Sequence, residues 1–240
     1  MRNIPNFITS LNLASGFIAL IFASNGELIT ASWFILAAMI FDFFDGFAAR
    51  ALKAYSEIGR ELDSLADLVS FGVAPAFLIY KILVPALNAN PGSDSTSAIN
   101  AVLSFIPVIM PVCAALRLAI FNLDTTQKTS FKGLPTPANA IAVITVVISA
   151  GITSLPFLTW FTGSPTALII YTVVLSLLMV TRLPLLSLKF ANLRFSGNEP
   201  RYILIGLILA SFIIFGFASA PFIIPVYILV SLGSAVIIKS

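Results

Sequence analysis

The sequence predicts an all-α fold, a polytopic membrane helix bundle. Three observations predict it. Hydrophobic residues make up 59% of the 240 residues and charged residues 10%, where a soluble domain carries roughly a quarter charged. Mean hydropathy is +1.04. Apolar runs near the ~20 residues that cross a hydrocarbon core alternate with short polar segments, and Lys and Arg gather in every second segment, as the positive-inside rule requires.

Taken in order, the first span runs from about Phe7 to Ser24 and turns at Asn25-Gly26-Glu27. It has no small-residue cleavage site, so it is expected to be a span and not a cleaved signal. The second covers Leu28 to Lys53, and the third Gly59 to Leu87. Residues 88–97 are rich in Asn, Pro, Gly and Ser and form a loop. The fourth span is Ala98 to Leu123, followed by a polar segment to Lys132. The fifth is Pro135 to Ile152 and the sixth Ala167 to Leu183; a basic stretch then reaches Arg201. The seventh is Tyr202 to Ala218 and the eighth Phe222 to Ile238. With the N-terminus inside, the inner segments carry Arg2, Arg50, Lys53, Arg60, Lys128, Lys132, Arg182, Lys189, Arg194, Arg201 and Lys239, while the outer loops carry neither Lys nor Arg. Lys81, near the outer end of the third span, departs from this pattern and is expected to snorkel. Eight spans with both termini in the cytoplasm follow, in the cytoplasmic (inner) membrane.

Composition also excludes chemistry. One cysteine, Cys113, and no histidine rule out an internal disulfide, CxxC zinc sites and any histidine base. A net charge of +3 is too small and scattered for nucleic-acid binding; it fits inner loops facing anionic lipid.

The stretch from Asp42 to Asp67 concentrates the acidic chemistry. Asp42 and Asp45 are three apart, Asp63 and Asp67 four apart, so each pair shares one helical face. At about 100° per residue, Asp42, Asp45, Gly46, Ala49 and Arg50 fall in one arc of about 140°. Gly46 and Ala49 leave a notch for close approach. Gly59, Asp63 and Asp67 form a second row, and the linker between Arg50 and Gly59 is long enough for the rows to face each other. Carboxylates at membrane depth are costly and mark functional sites. Oxygen-only ligands favour hard cations such as Mg²⁺, Mn²⁺ or Ca²⁺. Metals beside an arginine suit a diphosphate: they neutralise it, polarise the phosphorus and stabilise the leaving phosphate. The same aspartates could serve a cation transporter as its ion site, or act as structural partners of Arg50 and Arg60.

The pattern Asp-x2-Asp-Gly-x2-Ala-Arg-x8-Gly-x3-Asp-x3-Asp resembles the signature of the CDP-alcohol phosphotransferase family at all its defined positions. The resemblance implies a six-helix membrane core over residues 1–188, with residues 189–240 adding a basic cytoplasmic segment and two further spans. It implies two divalent cations, Mg²⁺ or Mn²⁺, held by Asp42, Asp45, Asp63 and Asp67, with Asp67 as candidate general base. Gly46, Ala49, Arg50, Ser56 and Gly59 would line a CDP-lipid site in a cytoplasm-facing cavity, and the protein would be a homodimer. Three further stretches, Glu61 to Ala76, Arg117 to Asn122 and Phe131 to Ala138, together with Ile4 to Thr9 and Asn12, resemble family members that use L-serine as acceptor; Ile120 stands where an arginine is expected. The expected reaction is phosphatidyl transfer from CDP-diacylglycerol to serine in phospholipid synthesis. The serine carboxylate needs a cation, and Arg117, Lys132 and Arg182 could supply one; Asn122 could bind the amine. Glycerol 3-phosphate or inositol phosphate as acceptor is the alternative, and such dianions would need more clustered cations.

Overall fold

A computed structural model of the chain describes residues 3–89, 94–123, 131–186, 195 and 198–237. The fold is almost wholly helical. Its exterior is apolar: Ile213 is 85% exposed, Phe7 65% and Trp160 61%. Its interior combines an apolar core with buried serines, asparagines and aspartates. An exterior this apolar fits lipid as the surrounding solvent. This is an integral membrane protein.

Helices α1 (Asn3–Ser24) and α2 (Leu28–Ala51) form an antiparallel pair. Gly26 adopts φ +87° in the turn between them, a conformation glycine enters without a Cβ penalty. Helix α1 buries Thr9, Asn12, Ser15, Gly16, Ala19 and Ala23, and α2 buries Ala31, Ser32, Ile35, Ala38 and Asp45. These are three- and four-residue spacings of small or polar residues, which let backbones approach where lipid supplies no hydrophobic drive.

Helix α3 (Glu57–Asp67), a π-helical turn (Leu68–Val73) and α4 (Ala74–Asn88) make one apolar run of 32 residues. Pro75 has no N–H to return to the Phe71 carbonyl. Asn139 Nδ2 donates to that carbonyl instead, at 3.2 Å. At Gly72 an added Cβ would stand 3.0 Å from Ala114 Cβ, so the π turn meets the next long helix closely. At the far end Lys81 Nζ donates to Ser24 O at 3.0 Å. The charge that breaks the positive-inside pattern thus caps the C-terminus of α1.

Helix α5 (Asp94–Leu103), a 3₁₀ turn (Ile106–Val108) and α6 (Ile109–Leu123) follow. Strand β1 (Phe131–Lys132) pairs antiparallel with β2 (Pro184–Leu185), in the register Phe131↔Leu185 and Lys132↔Pro184. Between β1 and α7 (Thr136–Ile152), Gly133 has φ +80°, and a Cβ there would stand 2.6 Å from Thr181 O. Helix α8 (Pro156–Gly163) meets α9 (Pro165–Val180) at a bend of 83°. Helix α10 (Glu199–Phe215) ends at Gly216, φ +57°; a 3₁₀ segment (Gly216–Phe222) leads into α11 (Ile223–Ile237).

Among the described residues, five helical runs are long and apolar enough to cross a membrane, or six when the bent α8–α9 pair counts as one span. The eight-span expectation differs in two places. Helix α7 has only 17 residues, because Pro135 and Pro137 set its start and Thr153 turns extended at its end. Helices α10 and α11 are joined by helical turns, so Glu199–Ser234 measures as one run. Lys128, Lys189, Arg194 and Lys239 lie outside the described residues.

Candidate active site

The two acidic rows converge. Oxygens of Asp42 on α2 and of Asp63 and Asp67 on α3 all lie within 4.8 Å of one another. Asp45, one turn beyond Asp42, is not part of that close group; it borders the cluster beside Thr9 of α1 and lines the adjoining cavity. Asp45 is 6% exposed and Asp67 9%.

Local sequence explains the placement. Helix α2 ends in a turn in which Lys53 takes φ 49°, and Ser56 then caps α3, accepting from Gly59 N at 3.0 Å. A Cβ at Gly59 would stand 2.9 Å from both Asn6 Oδ1 and Ser56 Oγ, so glycine leaves room for the Asn6 side chain and the Ser56 cap. Asn12 Nδ2 donates to Asp67 Oδ1 at 3.3 Å, and Ser70 Oγ donates to Asn12 O at 3.0 Å. Helix α1 thereby fixes one oxygen of Asp67 and the π turn just past it.

Among the described residues the one salt bridge is Arg60–Glu61 at 3.5 Å, on the surface, so none of the four aspartates has a Lys or Arg within pairing distance. Asp45 Oδ2 and Asp63 Oδ1 are buried without a hydrogen-bond partner. Buried carboxylates left this way are costly unless a cation joins them. An oxygen-only donor set with orphaned atoms fits a hard divalent ion.

Beside the cluster lies a cavity of about 530 Å³. Its walls include Asp45, Gly46, Ala49, Arg50, Ser56, Gly59 and Asp63, with Pro5, Asn6 and Thr9 from α1 and Tyr55 from the linker. A Cβ at Gly46 would meet nothing nearer than Arg50, 3.7 Å away. Its absence therefore leaves room facing the cavity. The α1 polar residues Asn6, Thr9 and Asn12 had a signal in the sequence: polar side chains three apart on one face of an apolar helix.

The four acceptor-side residues separate. Arg117 on α6 is 8% exposed, with Asp67 as an electrostatic neighbour, the Phe121 ring 6.0 Å from its Cζ, and Nε without a partner. Asn122 is committed to α3: its Nδ2 donates to Ser64 Oγ at 2.9 Å. Arg182 is exposed after α9, and Lys132 contributes its backbone to β1.

A helical membrane bundle with clustered carboxylates beside an arginine-lined cavity defines a class. The profile of the CDP-alcohol phosphatidyltransferase family matches residues 2–183, and the chain belongs to that family. Among individual proteins, it is 37% identical over 183 residues to the CDP-diacylglycerol–serine O-phosphatidyltransferase of Bacillus subtilis, covering 76% of this chain and 89% of that protein. It is 35% identical over 199 residues to the enzyme of the same name from Mycobacterium leprae, covering 77% of this chain and 58% of that one. It is 32% identical over 142 residues to the archaetidylserine synthase of Methanothermobacter thermautotrophicus, covering 58% of this chain and 55% of that protein.

Proposed function

We propose that the protein transfers the phosphatidyl group of CDP-diacylglycerol to L-serine, giving phosphatidylserine and CMP. The observation that carries this is the convergence of Asp42, Asp63 and Asp67 beside the Arg50 cavity, with the buried Arg117 as an electrostatic neighbour of Asp67. The names of the relatives support serine as acceptor.

Asp42, Asp45, Asp63 and Asp67 would hold two divalent cations, Mg²⁺ or Mn²⁺, which when bound supply charge neutralisation and polarise the phosphorus. Gly46, Ala49, Arg50, Ser56 and Gly59 bind the CDP portion; Arg50 pairs with the diphosphate. Arg117 takes the serine carboxylate. Asp67, with one oxygen held by Asn12, receives the proton of the serine hydroxyl. The hydroxyl oxygen bonds to the phosphorus that carries the diacylglycerol, and the bond from that phosphorus to the CMP oxygen breaks in line. CMP leaves with the electron pair. Holding donor and acceptor together supplies much of the rate.

The family core spans residues 1–188, and residues 189–240 add a basic segment and two spans, making eight with both ends in the cytoplasm. The site faces the cytoplasm of the inner membrane, and the protein is a homodimer. The alternation of Lys and Arg supports this orientation.

The test is CMP release by purified protein from CDP-diacylglycerol with Mg²⁺ or Mn²⁺. Release that depends on L-serine is expected. Release with glycerol 3-phosphate or inositol phosphate instead would overturn the acceptor, and cation flux in vesicles without CMP release would overturn the chemistry.

A further inference from the structure

Gly46, Ala49, Arg50, Ser56 and Gly59 offer the donor small surfaces, a hydroxyl and a cation, but none of them has an aromatic face for its nucleobase. The same cavity is walled by two further side chains of a different kind, Tyr55 and Glu57.

The linker that carries Tyr55 is held on both sides. Ala54 N donates to Ala49 O at 3.0 Å, and Ser56 Oγ accepts from Gly59 N at 3.0 Å. Between these fixed points Ala54 is buried, whereas Tyr55 is 72% exposed. A ring on a pinned backbone, lining a cavity and open to solvent, has a face to offer. Bases stack on such faces whatever their sequence, because each has a π surface.

Glu57 opens α3 and is exposed. It stands six residues before Asp63, about 9 Å along the helix axis, and both side chains line the cavity. The cavity therefore runs from the acidic cluster to an exposed rim. The Arg50 guanidinium lies over Gly46, the residue after buried Asp45: a Cβ at Gly46 would stand 3.7 Å from Arg50 Nη1. A diphosphate held between the cluster and Arg50 leaves a ribose to span the gap to the rim, with the base beside Tyr55 and Glu57. An ionised carboxylate only accepts hydrogen bonds. Cytosine presents an amino donor where uracil presents a carbonyl, so a carboxylate facing that edge favours cytosine.

We propose that Tyr55 and Glu57 form the nucleobase subsite of the donor cavity: the Tyr55 ring stacks on the pyrimidine, and the Glu57 carboxylate accepts from its exocyclic amino group, selecting cytosine over uracil. This rests on the reading of the cavity as the CDP site.

The experiment is calorimetric titration of the purified full chain, in Mn²⁺, with CMP and with UMP. Tyr55→Ala is expected to weaken CMP about 5- to 30-fold, and UMP by a similar factor, because stacking does not distinguish them. Tyr55→Phe keeps the ring and should bind CMP as wild type does. Glu57→Gln, whose amide donates as well as accepts, should narrow the preference for CMP over UMP about 5- to 10-fold. A Tyr55 that serves only as an interfacial anchor would alter stability and leave both affinities alone. CMP binding unmoved by Tyr55→Ala, or weakened as much by Tyr55→Phe, overturns the stacking; an unchanged CMP-to-UMP ratio in Glu57→Gln overturns the selection. In either case CMP binding by wild type leaves the donor reading standing. No CMP binding by wild type overturns the donor reading and this inference together. Tyr55→Leu, which keeps bulk without a π face, is read by the same rules should the Ala variant not purify folded.

Discussion

Replacing Asp63 with asparagine separates stability from activity. Asp63 has oxygens within 4.8 Å of those of both Asp42 and Asp67. At that distance two unit charges repel by about 3.5 kcal/mol at an effective dielectric of roughly 20. The Asp63→Asn substitution removes two such pairs. Water in the adjoining cavity and charge regulation reduce the gain, and about 1–2 kcal/mol of stabilisation in the metal-free protein is expected. For a chain of this size that is a rise of roughly 2–8 °C in Tm. Activity moves the opposite way. Losing one ligand from a metal cluster that neutralises a diphosphate costs about 10³-fold in kcat/KM, or about 4 kcal/mol of transition-state stabilisation. The assay pairs thermal unfolding in detergent with EDTA against CMP release with Mn²⁺. A variant less stable than wild type without metal, or one keeping more than a tenth of the activity, would refute the reasoning.

Other substitutions test the supporting contacts. Gly59→Ala puts a Cβ 2.9 Å from Asn6 Oδ1 and Ser56 Oγ; displacing these two side chains, and with them the α3 cap, should raise the CDP-diacylglycerol KM and cost about 1 kcal/mol of stability. The serine KM should change less. Asn139→Leu leaves the Phe71 carbonyl without the donor that Pro75 cannot supply. It should lower stability by about 1–3 kcal/mol, read as a lower Tm, with faster hydrogen exchange in the π turn.

Much of the site was legible because helical spacing is local information. Asp42 and Asp45, and Asp63 and Asp67, had to share faces once the segments were helical, and the linker between Arg50 and Gly59 was long enough for the rows to face each other. The pairing of the rows with α1 was less legible. Asn12 and Ser70 are 58 positions apart, and their hydrogen bond depends on how three helices pack. The π turn was hidden inside one apolar run; Pro75 was its signal, since a proline there orphans a carbonyl. Asn122 was read as a candidate for the acceptor amine, and in the fold its Nδ2 donates to Ser64 Oγ, a partner that hydropathy does not point to. Tyr227 gave no local sign, because the Leu186 carbonyl to which it donates reaches it only through the fold. Spans four and seven to eight were read from hydropathy, which cannot distinguish a helical break such as Gly216–Phe222 from a loop.

The most direct test of the central claim is Mn²⁺ binding to the purified protein, measured by electron paramagnetic resonance in wild type and Asp42→Asn. The account predicts saturable binding of two ions per chain in wild type and loss of at least one in the variant. No saturable binding in wild type, or an unchanged stoichiometry and affinity in Asp42→Asn, would contradict it.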